Sequence, residues 1–171
     1  RRIKSIAVQL TQEVGVDEGD IVETDGEYVY VASSDGLRIV SVGDADVVAE
    51  PELPEGSHQL LLDGERLVVV TSSWSGAPDT IVSLFDVADP TAPVELDKIV
   101  IPEGWSMVAD DPHAFTWDPI AGHAIFPLMR TMTFECDPGA ACTYPDADYN
   151  PTQGALVVAV DLPSGVDADT G

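Results

Sequence analysis

Positive charge is what this sequence has least of. Seven Lys and Arg stand against 31 Asp and Glu, giving a formal charge of −24, and Arg1, Arg2 and Lys4 take up three of the seven at the extreme N-terminus. From residue 5 onward only Arg38, Arg66, Lys98 and Arg130 remain. Such a field repels phosphate backbones and anionic head groups, which disfavours nucleic acid and peripheral membrane attachment. Cations, basic partners or a salty medium fit it better. Long apolar runs are missing too. Leu67 to Val70 and Ala155 to Val160 are strand-sized, far below the roughly 20 residues of a membrane-spanning helix. Helical periodicity is equally absent: apolar positions never recur at i, i+3, i+4 and i+7, and 14 Gly and 13 Pro interrupt the chain. Two cysteines, with histidines scattered at 58, 113 and 123, are too sparse for a zinc cluster. The chain opens Arg-Arg without Met, from which a removed leader or further upstream protein is expected. A 44% hydrophobic and 22% charged composition is that of a globular chain and excludes a disordered one.

What is present is a succession of short runs of Val, Ile, Leu, Tyr and Phe, bounded by Asp-Gly, Asp-Pro and Ser-rich turns. They cover residues 20–23, 28–32, 37–42, 47–49, 59–62, 67–71, 80–87, 94–101, 114–117, 123–128 and 155–162. The expectation is an all-β, antiparallel domain without crossover helices. The runs also repeat. Asp25-Gly26-Glu27-Tyr28-Val29-Tyr30-Val31 returns 38 residues later as Asp63-Gly64-Glu65-Arg66-Leu67-Val68-Val69, and a looser copy surrounds Gly122. Units of roughly 40 residues with four strands each are the mark of β-propeller blades, because such a sheet has two apolar faces and must stack on neighbours. The expected layout is a lead-in over 1–15, a propeller-like domain over 16–162 with units near 20–55, 57–102 and 103–162, and a C-terminal linker over 163–171. The alternative is a β-sandwich whose hairpins happen to look alike. Three blades are fewer than the about four to eight that close a ring, so a partial propeller is expected, completed by further blades of the same chain or by self-association.

Three stretches carry a resemblance: residues 15–32, with Gly15-Val16-Asp17-Glu18-Gly19-Asp20-Ile21-Val22-Glu23-Thr24-Asp25-Gly26 at their start, then residues 82–98, which open Val82-Ser83-Leu84-Phe85-Asp86-Val87-Ala88-Asp89-Pro90, then His113-Ala114-Phe115-Thr116-Trp117-Asp118-Pro119 with Ile125-Phe126-Pro127-Leu128. Together they resemble a family of secreted prokaryotic proteins with a β-propeller domain distantly related to WD repeats. Its members are longer, so this chain looks like a shortened or partial one. The resemblance implies an exported propeller scaffold and supplies no catalytic residues.

Several residue groups can carry chemistry. Cys136 and Cys142 flank a Pro-Gly turn and are expected to close a small disulfide loop if the protein is exported; free thiols or half of a metal site are the alternative. Asp146, Asp148 and Asn150 present oxygens at alternate positions, as a calcium loop does. Pro151 and Val157 then stand where an EF-hand needs Gly and Glu, so a single Ca²⁺ site competes with a plain acidic turn. His113 follows Asp110 and Asp111, with Ser72, Ser73, Ser75 and Ser106 as candidate nucleophiles, but no Gly-x-Ser-x-Gly elbow supports a triad. A blade-edge histidine bonded to a turn is the plainer reading. Trp74 and Trp105 lie beside loops and are a candidate platform for a glycan, peptide or protein ligand; sealing contacts between blades is the alternative for these and for Trp117. The acidity fits either salt adaptation or a cation-binding surface. The resulting expectation is a non-enzymatic extracellular or cell-surface binding or scaffold module, stabilised by calcium. Its rivals are a secreted hydrolase or lyase acting at a central channel, and an incomplete fragment with no independent activity.

Overall fold

A computed structural model of the chain describes residues 17–18, 20–74, 78–118, 121–130, 153–161 and 165–169. The described residues form three antiparallel sheets. Sheet I runs in the order β2 (Val22–Thr24), β3 (Tyr28–Ser33), β4 (Gly36–Ser41), β5 (Val47–Ala49). Sheet II follows the same meander through β6 (Ser57–Asp63), β7 (Arg66–Trp74), β8 (Pro78–Asp86) and β9 (Val94–Ile101). Sheet III holds β11 (Thr116–Asp118), β12 (His123–Arg130), β13 (Gln153–Asp161) and β14 (Gly165–Asp169), with β1 (Asp17–Glu18) on the edge of β11 and β10 (Gly104–Trp105) beside β12. The helical residues among those described form two 3-10 turns, Met107–Ala109 and Pro112–Ala114.

Local chemistry sets the hairpins. Asp25 Oδ1 accepts from the N–H groups of Glu27 and Tyr28 at 2.8 and 2.7 Å, an Asx turn that reverses the chain between β2 and β3. The matching turn in sheet II joins Asp63 to its register partner Arg66 through two residues, the first being Gly64 at φ 57. A two-residue hairpin loop requires this left-handed conformation, which glycine adopts without a Cβ clash.

The core explains the continuous run at 67–70. Leu61, Val68, Val70, Val82 and Leu84 pack with Phe115, Trp117, Ala124, Phe126 and Leu128 of the sheet III side. Leu60, Leu67, Val69 and Phe85 pack with Tyr30, Ala32, Leu37 and Ile39 of sheet I. Sheet II is therefore buried on both faces, so neither parity of its strands can be polar. The packing is also cyclic. Tyr30, Ala32, Leu37 and Ile39 occupy in sheet I the register positions that Val68, Val70, Val82 and Leu84 occupy in sheet II. Each sheet thus presents the same face forward to the next, as blades of a propeller do. Among the described residues the architecture is all-β and antiparallel, three stacked sheets not closed into a ring, which is a partial propeller and not a two-layer sandwich.

Two boundaries differ from those expected. Residues 163–171, read as a linker, contribute β14, whose Gly165–Asp169 pairs with 157–161; one Val and one Ala among polar neighbours give too weak an apolar pattern for an outer strand to be recognised. The third unit also gains Asp17 and Glu18, opposite Trp117 and Thr116. Residues 17–18 and 20–24 thus meet all three sheets at their first strands. Asp20 exchanges backbone hydrogen bonds with Leu60 of β6 at 3.0 and 2.6 Å, and Ile21 accepts from the Ala32 N–H at 2.9 Å before β2 pairs with β3.

Candidate functional site

The β7–β8 hairpin projects at one end of sheet II. Its last register pair is Trp74 with Pro78, and the Trp74 side is 73% exposed. The hairpin base is fastened to the strand that follows β9: Asp79 Oδ1 accepts from the Glu103 N–H at 3.1 Å, and Thr80 Oγ1 donates to the Gly104 carbonyl at 3.0 Å. A large apolar ring is held in water on an anchored support. Trp105 lies one residue beyond Gly104, half-buried, and faces Met129 across the β10–β12 ladder. Opposed residues share a sheet face, and Met129 stands on the parity of β12 opposite to the core residues Phe126 and Leu128. Trp74 and Trp105 therefore share an end of the fold and not a face. Trp117 has the sealing role: it is buried, and its Nε1 donates to Asp63 Oδ2 of sheet II at 3.2 Å.

The histidine cluster forms only in part. His113 Nδ1 lies 3.1 Å from Asp111 Oδ1, with the two side chains 60% and 51% exposed, and Asp110 is also exposed. The Asp111 carboxylate additionally accepts from the His113 backbone N–H at 3.1 Å, so it orders the 3-10 turn. Ser106 is buried and committed, donating to the Pro127 carbonyl at 2.7 Å and accepting from the Val108 N–H at 3.3 Å as the cap of the first 3-10 turn. Ser72 and Ser73 are half-buried on β7. Ser75, Cys136, Cys142, Asp146, Asp148 and Asn150 lie outside the described residues. Among the described residues no group of three or more His, Cys, Asp or Glu is gathered to hold a metal ion, and no helix is long and apolar enough to cross a membrane.

Sequence reasoning missed a buried polar row. His58 is buried, with Nδ1 2.9 Å from Thr71 Oγ1, and burial lowers its pKa below the ordinary imidazole value. Its Nε2 and the neighbouring Gln59 Oε1 are buried without a hydrogen-bond partner among the described residues. The only sequence signal was a polar pair, His58-Gln59, opening an apolar strand. In sheet I, Tyr30 is buried with its hydroxyl donating to Asp25 Oδ2 at 3.2 Å, and burial followed by the Asp25 charge drives the phenol pKa well above its usual value.

The family model described as a beta propeller domain matches residues 11–80 and again 73–170. The chain belongs to the beta propeller domain family. The two matches to this propeller overlap at residues 73–80, which include the end of β7 and the start of β8 in the central sheet. No curated protein and no solved structure matches the chain. Membership accounts for the forward-facing stack of sheets, while activity has to be argued from the sites, since propellers host binding and catalysis alike.

Proposed function

We propose that this propeller domain is a non-enzymatic binding module acting outside the cell or at its surface, with its ligand contact at the β7–β8 tip. The observation that carries the reading is the 73% exposure of Trp74. A free indole in water has a cost unless something flat and apolar covers it, and sugar rings do so well. The net charge of −24 disfavours anionic ligands, so a neutral or amino-sugar glycan is the ligand class. The test is intrinsic fluorescence titration with neutral and amino oligosaccharides, with proline-rich peptides as a parallel arm. Saturable binding of an oligosaccharide that disappears in Trp74→Ala supports the reading. Titrations in which wild type and Trp74→Ala respond identically overturn it.

Calcium stabilisation through Asp146, Asp148 and Asn150 belongs to the same proposal, as does a Cys136–Cys142 disulfide in an exported protein. Ligand that binds only the native state raises the melting temperature. Millimolar Ca²⁺ should therefore raise it by several degrees relative to EDTA, and Asp146→Asn with Asp148→Asn should abolish the shift; a transition indifferent to Ca²⁺ removes the metal from the reading. The hydrolase reading has the weaker support, since the His113–Asp111 pair is solvent-exposed and Ser106 is spent on the backbone.

A further inference from the structure

One face of sheet II changes character along β7. Val68 and Val70 lie in the core shared with sheet III, and Ser72 and Trp74 continue the same parity toward the end of the strand. The register sets their neighbours. Ser72 stands opposite Ser57 of β6 and Thr80 of β8, so hydroxyl residues form one row across three strands. Beyond that row toward the tip is the Trp74–Pro78 pair, and on its other side Gln59 stands opposite Val70. Exposure falls in the same order: Trp74 is 73% exposed, Ser72 is half-buried and Gln59 is 3% exposed.

Two polar atoms on this strip lack a partner. Ser72 Oγ and Gln59 Oε1 are buried with no hydrogen bond among the described residues. Thr80 differs, since its hydroxyl donates to the Gly104 carbonyl at 3.0 Å. A buried polar group left unpaired destabilises the folded state, so two of them on the face that carries an exposed indole work against the fold. Local conflicts of this kind gather where a protein binds something.

We propose that the strip from Trp74 through Ser72 to Gln59 is one oligosaccharide site, in which the indole stacks on a sugar ring and the two unpartnered atoms bond hydroxyl groups of the adjoining rings. The inference rests on the reading of Trp74 as the ligand contact, and adds what selects the ligand there. A serine hydroxyl donates or accepts and an amide oxygen accepts, so the ligand must offer O–H or N–H donors. Sugars carry them around the ring. Proline has no N–H, which sets a proline-rich peptide aside. A rise of about 3.4 Å per residue puts the Trp74 and Val70 rows about 14 Å apart, a length that takes more than one sugar ring. The 3-10 turn Met107–Ala109 lies against β6 and β7, and its Val108 packs in the same core. A hydroxyl reaches Gln59 only as this turn shifts outward, so binding is coupled to movement at the exposed Met107.

The test pairs two measurements on the full chain: the melting temperature without ligand, and calorimetric titration with cellohexaose and with a glucosamine oligomer. Ser72→Ala and Gln59→Met each remove an unpaired polar atom and nearly keep the volume. Each should raise the ligand-free melting temperature by about 2–4 °C while weakening oligosaccharide binding about tenfold. Ser73→Ala, on the opposite parity of β7, should leave the affinity unchanged. Should Gln59→Met fail to fold, Ser72→Ala decides on the same two measurements. Variants that gain stability yet bind like wild type overturn the inference, and a Trp74→Ala protein that still loses binding then leaves the Trp74 reading standing. Variants that lose stability overturn it too, because the fold itself would be using those atoms. A wild-type chain that saturates with neither oligosaccharide removes the Trp74 reading and this inference with it.

Discussion

Trp117 Nε1 donates a hydrogen bond to Asp63 Oδ2 at 3.2 Å, tying the inner strand of sheet III to the β6–β7 turn of sheet II. The indole is buried in the core shared by the two sheets, so its ring supplies apolar area while its nitrogen supplies a directional bond. Trp117→Phe keeps most of the area and loses the bond, and should lower stability by about 1–2 kcal/mol. Trp117→Ala also leaves a cavity and should cost about 3–5 kcal/mol. Chemical denaturation of the two variants checks the ordering, and a Trp117→Phe protein as stable as wild type would show that the hydrogen bond contributes nothing.

Gly56 and Gly64 should respond differently to Ala. A Cβ on Gly56 would lie 2.3 Å from the Ser72 carbonyl oxygen, a backbone atom of β7 that cannot move without disturbing the sheet. Gly64 has open space, and there Ala meets only the left-handed φ of 57, which costs about 1–2 kcal/mol. Gly56→Ala should therefore be the more destabilising change in thermal unfolding, to the point of preventing recovery of folded protein.

His58 makes stability depend on pH in a defined direction. Burial lowers its folded-state pKa below the unfolded value of 6.5, so protons bind the unfolded chain more tightly. The native state then has its full advantage above about pH 6.5 and loses it as pH falls below that value. Protonation of surface carboxylates relieves self-repulsion at still lower pH and acts the other way. The comparison is thus between wild type and His58→Asn: melting temperatures should converge as pH drops from about 7 to 5, and a constant difference would remove His58 as the cause.

Tyr30 gives the alkaline counterpart. Burial and then the Asp25 carboxylate raise its pKa above the ordinary 10.0. The unfolded chain ionises first, so stability present below pH 10 is lost as pH rises past it. Ultraviolet titration should show one of the 4 tyrosines ionising only with unfolding. Tyr30→Phe should remove that late step and cost about 0.5–1.5 kcal/mol at neutral pH.

Much of the fold was legible because its signals are local. The Asp-Gly turns at 25–26 and 63–64 and the apolar runs between them locate β2 to β9 to within a few residues, and the 38-residue spacing marks sheets I and II as copies. The site was legible only in kind. Trp74 and Trp105 stood out as loop aromatics, and the register that puts them on different faces depends on β10 pairing with β12 across the intervening 3-10 turns. His58 and Gln59 escaped notice because burial of a polar pair depends on what the facing sheet presents.

By itself, the sequence determined strand content, turn chemistry and the repeat, since each follows from side-chain alternation and turn residues within a few positions of one another. Only the tertiary structure decided the order in which faces stack, the recruitment of Asp17 and Glu18 to the edge of β11, and the pairing of Gly165–Asp169 with β13. Those strands carry too few apolar residues to declare themselves; they form because an open sheet edge offers unpaired backbone groups, and that edge exists only once the chain has folded.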